Sequence, residues 1–440
     1  MTAVRVLAVD LGAGSARIAA VTMAPDTRPL VEVVHRYPHQ PVRAADGSLR
    51  WAWDRLLSEV VRGLALGLEG GPVASIGVDT WGVDYGLLDD HGELLSAPHA
   101  YRSERTAGWQ SVAARLDAGR LYRTTGIQLM GINTIFQLSA HDPDELSRAT
   151  QLLLLPELIV HALTGAVCGE RTSAGTTGLV DLATGTWAPE LVAEIGVDPA
   201  ILPAIEPAGR CVGTWRGVPV HIVGGHDTAS AVAASEPGAA FVASGTWMLV
   251  GIERPVADVS DAARTANFSN EPGVAGGFRF LKNVMGLWML ERLRAAWGDP
   301  PLAEVLAAAT GAGTGVPVVD ATDERFLAPA DMDAEVRSAA GLSASASRGE
   351  VARCVLESLA AATANVVAEL GSSTAVPVRE VCLLGGGAKN PLLRRLIEEQ
   401  TGVSVRIGPV EATAIGNALV QGVALGVYDD LADARSQAAA

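Results

Sequence analysis

The stretch "VRVLAVDLGAGSARIAAVTM", residues 4 to 23, is an apolar run, a Gly-rich turn and a second apolar run, and its grammar returns in "AAFVASGTWMLVGIE", residues 239 to 253. Short apolar runs bounded by glycine turns read as buried strands, so each stretch is a strand–turn–strand unit. "LVEVVHRYP" follows the first as a third strand. "WAWDRLLSEVVRGLALGL" then carries Leu56, Leu57, Val60, Val61 and Leu64 at helical spacing, and "VASIGVD" is a buried strand. In the second half "VARCVLESLAAATANVVAELG" has a helical apolar face, "VREVCLL" reads as a strand, and "GGGAKN" turns into "PLLRRLIEEQTG". There Asn390 suits the N-cap and Pro391 the first helical position.

Two β-rich units of similar order predict a duplicated α/β architecture with a cleft between lobes. The join falls near "ASEPGAA", residues 234 to 240, giving domains over 1–236 and 237–432 with a short tail over 433–440. Length agrees, since 440 residues suffice for two or three domains with their own cores.

The formal net charge of −16 argues against a nucleic-acid or anionic-membrane partner, because both demand basic patches. Cys168, Cys211, Cys354 and Cys382 lie far apart without a CxxC pair, which suggests neither a zinc site nor a disulfide framework. The opening "MTAVRVLAVDLGAG" lacks the pattern of a signal peptide, and no run approaches about 18 uninterrupted apolar residues. A soluble cytoplasmic protein, monomer or homodimer, is the expectation.

Gly12-x-Gly14 after a strand is a partial dinucleotide fingerprint, but Arg17 occupies the third glycine position and the next segment reads as a strand. No GxxxxGK[ST] P-loop occurs. What remains is Asp10 at a strand end beside a turn whose amides and Ser15 hydroxyl could face a phosphate and Mg²⁺. An ordinary hairpin turn is the competing reading. Gly245 and Thr246 stand in the corresponding place in the second half. Gly385, Gly386 and Gly387 end a strand ahead of a helix N-terminus, where bare backbone either admits a base or phosphate or simply makes a tight turn.

"VGGHDTASAV", residues 223 to 232, leaves His226 and Asp227 in a small-residue, apolar run after two glycines. Asp227 sits between a predicted strand and a predicted helix. It can accept a proton from an attacking hydroxyl, or it can cap the helix with no chemistry at all.

Together, "DLGAGSAR", "HDTASA", "SGTW" and "GGGAKN", in this order across nearly the whole chain, resemble the FGGY family of carbohydrate kinases. The resemblance implies an α/β fold of two actin-like (ribonuclease H-like) ATPase domains with a catalytic cleft between them. It implies Asp227 as general base, with His226 and Thr228 at the sugar, and Gly82 and Asn283 in contact with a ketose. Ala13, Gly14, Ser15, Ala16, Arg17 and Thr246 would meet the phosphates of ATP, and Gly386 the adenosine. Asp10 would hold Mg²⁺, directly or through water.

"GVDTWGVDYGLLD", "TGIQLMGINTIFQL", "NFSNEPGVAGGFRFLKNVMGLW" and "GPVEATAIGN" resemble one branch of the family, whose acceptor is L-rhamnulose, phosphorylated at the 1-hydroxyl. Trp81 or Trp288 would then supply an apolar wall for the sugar methyl. Two positions depart from the family pattern. Ala13 stands where Thr or Ser is frequent, and Ser103 replaces an acid in "YRSERT", leaving the role of Ser103 open beside that of Arg105. The alternatives are a kinase for another ketose such as L-fuculose or D-xylulose, a non-catalytic actin-like ATP-binding protein, and a sugar sensor derived from a kinase.

Overall fold

The computed structural model describes residues 3–374 and 377–439. The strands of its two large sheets are β1 (Val4–Gly12), β2 (Ser15–Met23), β3 (Leu30–Pro38), β4 (Ile76–Thr80), β5 (Cys211–Trp215), β6 (Val218–His221), β7 (Ala240–Ser244), β8 (Trp247–Arg254), β9 (Ser269–Pro272), β10 (Phe278–Met285), β11 (Glu380–Leu384) and β12 (Ser404–Ile407). The helices that matter most are α1 (Trp53–Glu69), α2 (Asp227–Ala233), α3 (Arg348–Thr374), α4 (Pro391–Thr401), α5 (Ala412–Ala424) and α6 (Leu431–Ala439).

The chain forms two compact units. One comprises Met1–Glu236, Glu253–Phe280 and Glu411–Ala440, the other Pro237–Ile252 and Leu281–Val410. The first crossing falls at Glu236/Pro237. The two later returns to the first unit have no local composition signal. Residues expected as a tail from 433 onward instead lie in α6, where Ala434 is buried and Arg435 Nε donates to the Ser235 carbonyl at 2.6 Å. Ala440 lies outside the described residues.

The first unit is built on the sheet order β5-β6-β4-β1-β2-β3. β1 and β2 form an antiparallel hairpin closed at Gly12 and Ser15, and β3 extends it antiparallel past an irregularity at Ile18/Ala19. β4 pairs parallel with both β1 and β6. Val6 to Leu11 are all buried because both faces of this sheet are covered, which is why β1 reads as a continuous apolar run. On one face Gly63 and Gly67 let α1 approach Ile18 and Leu7; a Cβ on either glycine would come within 2.7 Å of those side chains. On the other face Val6, Ala8, Ala19 and Val21 share a core with Ala414, Ala418 and Leu419 of α5.

The second large sheet has the order β9-β10-β8-β7-β11-β12. Within the second unit β7 and β8 repeat the opening hairpin, antiparallel with Ser244 opposite Met248, and β11 lies parallel to both β7 and β12. Asn390 Oδ1 accepts the Leu392 and Leu393 amides, each at 3.1 Å, and Pro391 opens α4 as expected. Among the described residues, α3 is long and apolar enough to cross a membrane, yet 72% of its most apolar window is buried inside the protein. It is read as a core helix.

Candidate active site

In the first unit the carboxyl ends of β1, β4 and β6 lie side by side; Asp10 and Asp79 stand near the ends of β1 and β4, and Asp227 lies beyond the end of β6. Asp10 is opposite Asp79 in the parallel register of β1 and β4. Beyond β6 the chain rejoins the sheet, where the Thr80 amide donates to the Gly225 carbonyl at 2.8 Å and Thr80 bridges to His226. Asp227 follows at the start of α2. Ligands of α/β proteins gather at such strand ends.

Asp10 is 1% exposed, its Oδ2 has no hydrogen-bond partner, and Arg17 Nε stands 3.6 Å from that oxygen. Burial pushes its carboxyl up to about 6 against the opposing pull of Arg17, and Asp227 and Glu411 push the same way as burial. Asp79 is wholly buried, with burial and then Asp10 raising its carboxyl well above the usual range. The Asn417 amide opposes that shift by donating to Asp79 Oδ2 at 2.6 Å, while Oδ1 has no hydrogen-bond partner.

Asp227 is also raised by burial, with His226 and Thr228 opposing. Its side chain nevertheless keeps 27% of its surface open, so a ligand hydroxyl can reach it. The capping reading fails, because the N-cap of α2 is His226 and no side chain caps the helix. Thr228 Oγ1 donates to Asp227 Oδ1 at 3.2 Å, and His226 Nε2 lies 3.4 Å from the same oxygen.

The loop that presents His226 and Asp227 is braced from behind. Glu170 Oε2 accepts the Gly225 amide at 2.9 Å together with the amides of Thr172 and Ser173, and Thr172 Oγ1 accepts the His226 amide at 3.2 Å. Glu157 Oε1 in turn accepts the Glu170 amide at 2.9 Å. Burial and the neighbouring Glu170 push the Glu157 carboxyl up to about 8.

Arg17, expected at the phosphates, is held by Glu411, whose Oε2 accepts from Nη1 at 2.7 Å. Ala13 and Gly14 form the tip of the β1/β2 hairpin, with Gly14 exposed and Ser15 and Ala16 opening β2. At Gly82 a Cβ would stand 2.9 Å from Thr176 Oγ1, so the packing itself calls for glycine there. Next to it Val83 has φ +70°, and the Asp84 amide donates across it to the Gly82 carbonyl at 3.0 Å. This γ-turn is strained for a β-branched residue. Thr176 Oγ1 accepts the Val83 amide at 3.3 Å, and the Val83 carbonyl accepts Thr134 Oγ1 at 2.7 Å. Such over-determined strain gathers at functional sites.

Trp81 is 5% exposed, packed at a tilt of 44° against Trp51 with ring centroids 4.3 Å apart, and its Nε1 donates to Asp84 Oδ2 at 3.0 Å. Most of its surface is therefore already in use within the protein. Gln137 links Asp84 to Arg105, donating to Asp84 Oδ1 at 3.0 Å and accepting from Arg105 Nη2 at 2.7 Å. Ser103 caps the short turn Glu104–Thr106 by accepting the Arg105 amide at 3.3 Å, which gives it a structural role of its own.

In the second unit β7 and β11 run parallel and end in the two other glycine turns. A Cβ on Gly387 would lie 2.1 Å from Ser244 Oγ, and Gly385 adopts φ +78°, so both glycines are required by the backbone path. Gly386 differs. It is exposed, and a Cβ there would meet only the Ser244 carbonyl, at 4.0 Å. Gly286 packs on the Gly245–Trp247 turn, and the amides of Leu287 and Trp288 donate to the Gly245 and Thr246 carbonyls at 2.9 and 3.3 Å. The "LKNVMGLW" segment is thereby joined to the "SGTW" turn. Thr246 and Asn283 are both half-buried.

Residues 5–233 match the N-terminal domain of the FGGY family of carbohydrate kinases, and residues 240–425 match the C-terminal domain. The chain belongs to the FGGY family of carbohydrate kinases. It is 37% identical to the rhamnulokinase of Klebsiella pneumoniae over 97% of this chain and 90% of that one. It is 35% identical to the rhamnulokinase of Bacteroides thetaiotaomicron over 97% and 92%. Among solved structures, xylulose kinase from Lactobacillus acidophilus superposes with a TM-score of 0.79 at 16% identity, covering 98% of this chain and 92% of that one. Plasmodium falciparum glycerol kinase with ADP gives 0.75 at 15% identity, with the same coverage. These structures establish the two-domain sugar-kinase fold. As a member of the family the protein is a sugar kinase, with a sugar and a nucleotide as substrates.

Sequence reasoning missed Asp79, Glu411, Asn417, Glu170, Glu271 and Arg279. A signal for Asp79 was present: "VLAVD" and "SIGVD" are two apolar runs that each end in aspartate.

Proposed function

We propose that this FGGY kinase transfers the γ-phosphoryl group of ATP to the 1-hydroxyl of L-rhamnulose, with Asp227 as general base. The observation that carries the chemistry is the Asp227 carboxylate, raised by burial yet still open, beside two further buried aspartates. A base of raised proton affinity takes the hydroxyl proton as the oxygen attacks phosphorus, and is effective only in its ionised form. The choice of sugar is supported by relatives named rhamnulokinase and by the "DTWGVDY" and "LKNVMGLW" segments.

His226 and Thr228 orient the base and lie beside the ketose, with Gly82 and Asn283 as further sugar contacts. The hairpin tip from Ala13 to Arg17 and Thr246 serve the phosphates, and Gly386 faces the adenosine. The buried Asp10 Oδ2, which has no hydrogen-bond partner, fits a cation, and Asp10 would hold Mg²⁺ directly or through water. Among the described residues no group of three or more His, Cys, Asp or Glu side chains could hold a metal alone. That suits an ion that keeps several waters and leans on substrate phosphates. When bound, Mg²⁺ offsets charge on the transferred group. The enzyme acts in the cytoplasm, as a monomer or homodimer, without nucleic-acid or membrane partners.

A panel of ketoses in a coupled ADP-release assay tests the substrate. L-Rhamnulose should give the highest kcat/KM, L-fuculose a lower one, and glycerol almost none; a faster D-xylulose or glycerol reaction would overturn the choice of sugar. Asp227→Asn should lower kcat by roughly 10²–10⁴ with nucleotide binding kept. Near-native turnover in that variant would remove Asp227 from the role.

A further inference from the structure

Behind His226, within the same unit, lies Arg279, 1% exposed and aimed away from solvent. Its Nη2 is 3.2 Å from His226 Nδ1 and 3.1 Å from Glu271 Oε2, and its Nε donates to the Pro272 carbonyl at 3.2 Å. Glu271 Oε2 is itself 3.4 Å from His226 Nδ1, and Ser269 Oγ donates to Glu271 Oε1 at 3.3 Å. On the far edge of the ring, His226 Nε2 lies 3.4 Å from Asp227 Oδ1.

A guanidinium has only donors. The imidazole nitrogen facing it must therefore offer its lone pair, which leaves the ring proton on Nε2, directed at Asp227. Thr228 Oγ1 donates to the same carboxylate oxygen. Oδ1 is thus engaged twice by its neighbours.

We propose that Arg279 is a positioning residue that fixes His226 as the Nε2–H tautomer, so that His226 and Thr228 anchor Asp227 Oδ1 and leave Oδ2 as the proton-accepting atom. The inference rests on the reading of Asp227 as the base. Glu271 holds the guanidinium in place and is also the competitor. Without Arg279, its carboxylate would draw the ring proton to Nδ1, and Nε2 would turn a lone pair toward Asp227. Glu170 and Glu253 act on Arg279, and Asp10 and Asp79 interact with Asp227, and all four are acidic. None of them could replace the donor.

The test is ¹H–¹⁵N correlation on the full-length protein labelled at histidine, with the His226 signals assigned by their loss in His226→Gln. The wild-type spectrum decides without relying on any variant at Arg279. An unprotonated Nδ1 with a protonated Nε2 supports the proposal, and a proton on Nδ1 overturns it. Arg279→Met should reverse the tautomer and lower kcat by roughly 10–10²-fold, the scale of a misplaced catalytic group, with the KM for nucleotide unchanged. Adding Glu271→Gln to Arg279→Met should restore both tautomer and rate, because the new amide can donate to Nδ1. A tautomer or rate untouched by Arg279→Met, or a double variant without rescue, counts against the proposal. Failure of the Asp227 assignment would show separately, as turnover retained in Asp227→Asn.

Discussion

The side-chain amide of Asn417 donates to Asp79 Oδ2 at 2.6 Å, joining two wholly buried residues 338 positions apart. Gln421 fixes the orientation by donating to Asn417 Oδ1 at 2.7 Å and sits within reach of the Leu7 carbonyl at 3.2 Å. Asn417→Leu strands a buried carboxylate and should cost about 1–3 kcal/mol in urea unfolding of the whole chain. Asn417→Asp should be worse near neutral pH, where a second carboxylate faces Asp79, and should recover in acid, where the introduced carboxyl is protonated and can donate in place of the amide. No dependence on pH would mean that this amide does not matter to Asp79.

Glu157 gives the clearest pH signature for stability. Its carboxyl is raised from 4.5 to about 8, so the folded protein holds a proton there that the unfolded chain has lost. This contribution is fully present below pH 4.5 and is lost as pH rises through about 8. Glu157→Gln should match the wild type near the lower end of that window and become more stable than it as pH rises to the upper end. At about 2–4 °C per kcal/mol, the melting temperatures should separate by several degrees. A constant offset at all pH values would disprove the linkage.

Gly386 and Gly387 should respond in opposite ways to the same methyl group. Gly387→Ala drives a Cβ to 2.1 Å from Ser244 Oγ and should destabilise the second unit by about 1–3 kcal/mol. Gly386→Ala meets nothing nearer than 4.0 Å, so its melting should stay unchanged while the KM for ATP rises. If Gly386→Ala leaves nucleotide binding intact, the adenosine lies elsewhere.

The hairpins at Val4–Met23 and Ala240–Arg254 and the Asn390 cap were legible because turns, apolar runs and caps are encoded within a few residues of one another. Asp10 and Asp227 were visible as carboxylates at the ends of apolar runs. Arg17 was visible too, but its partner Glu411 lies 394 residues on, and no local pattern encodes that contact. Asp79 closes the apolar run "SIGVD" just as Asp10 closes "VLAVD", a parallel that was passed over because nothing local to it marks a turn or a cap. Arg279 and Glu271 sit in strands whose burial makes charged residues costly, a cost met only by pairing that periodicity cannot reveal. Gly82 entered the sequence analysis only as a ketose contact implied by resemblance; the steric need for glycine there comes from Thr176, 94 residues away in sequence, and no local pattern encodes it.

The return of Glu411–Ala440 to the first unit bears on how the chain is made. On a ribosome, Ala414, Ala418 and Leu419, which cover one face of β1 and β2, emerge long after those strands. Until they do that apolar face is bare, and domain-by-domain folding from the N-terminus cannot finish its first step. Closing so distant a contact is also slow. The nascent chain should therefore depend on chaperones until α5 is free of the exit tunnel, and expressing residues 1–236 alone should yield an aggregating fragment rather than an autonomous domain.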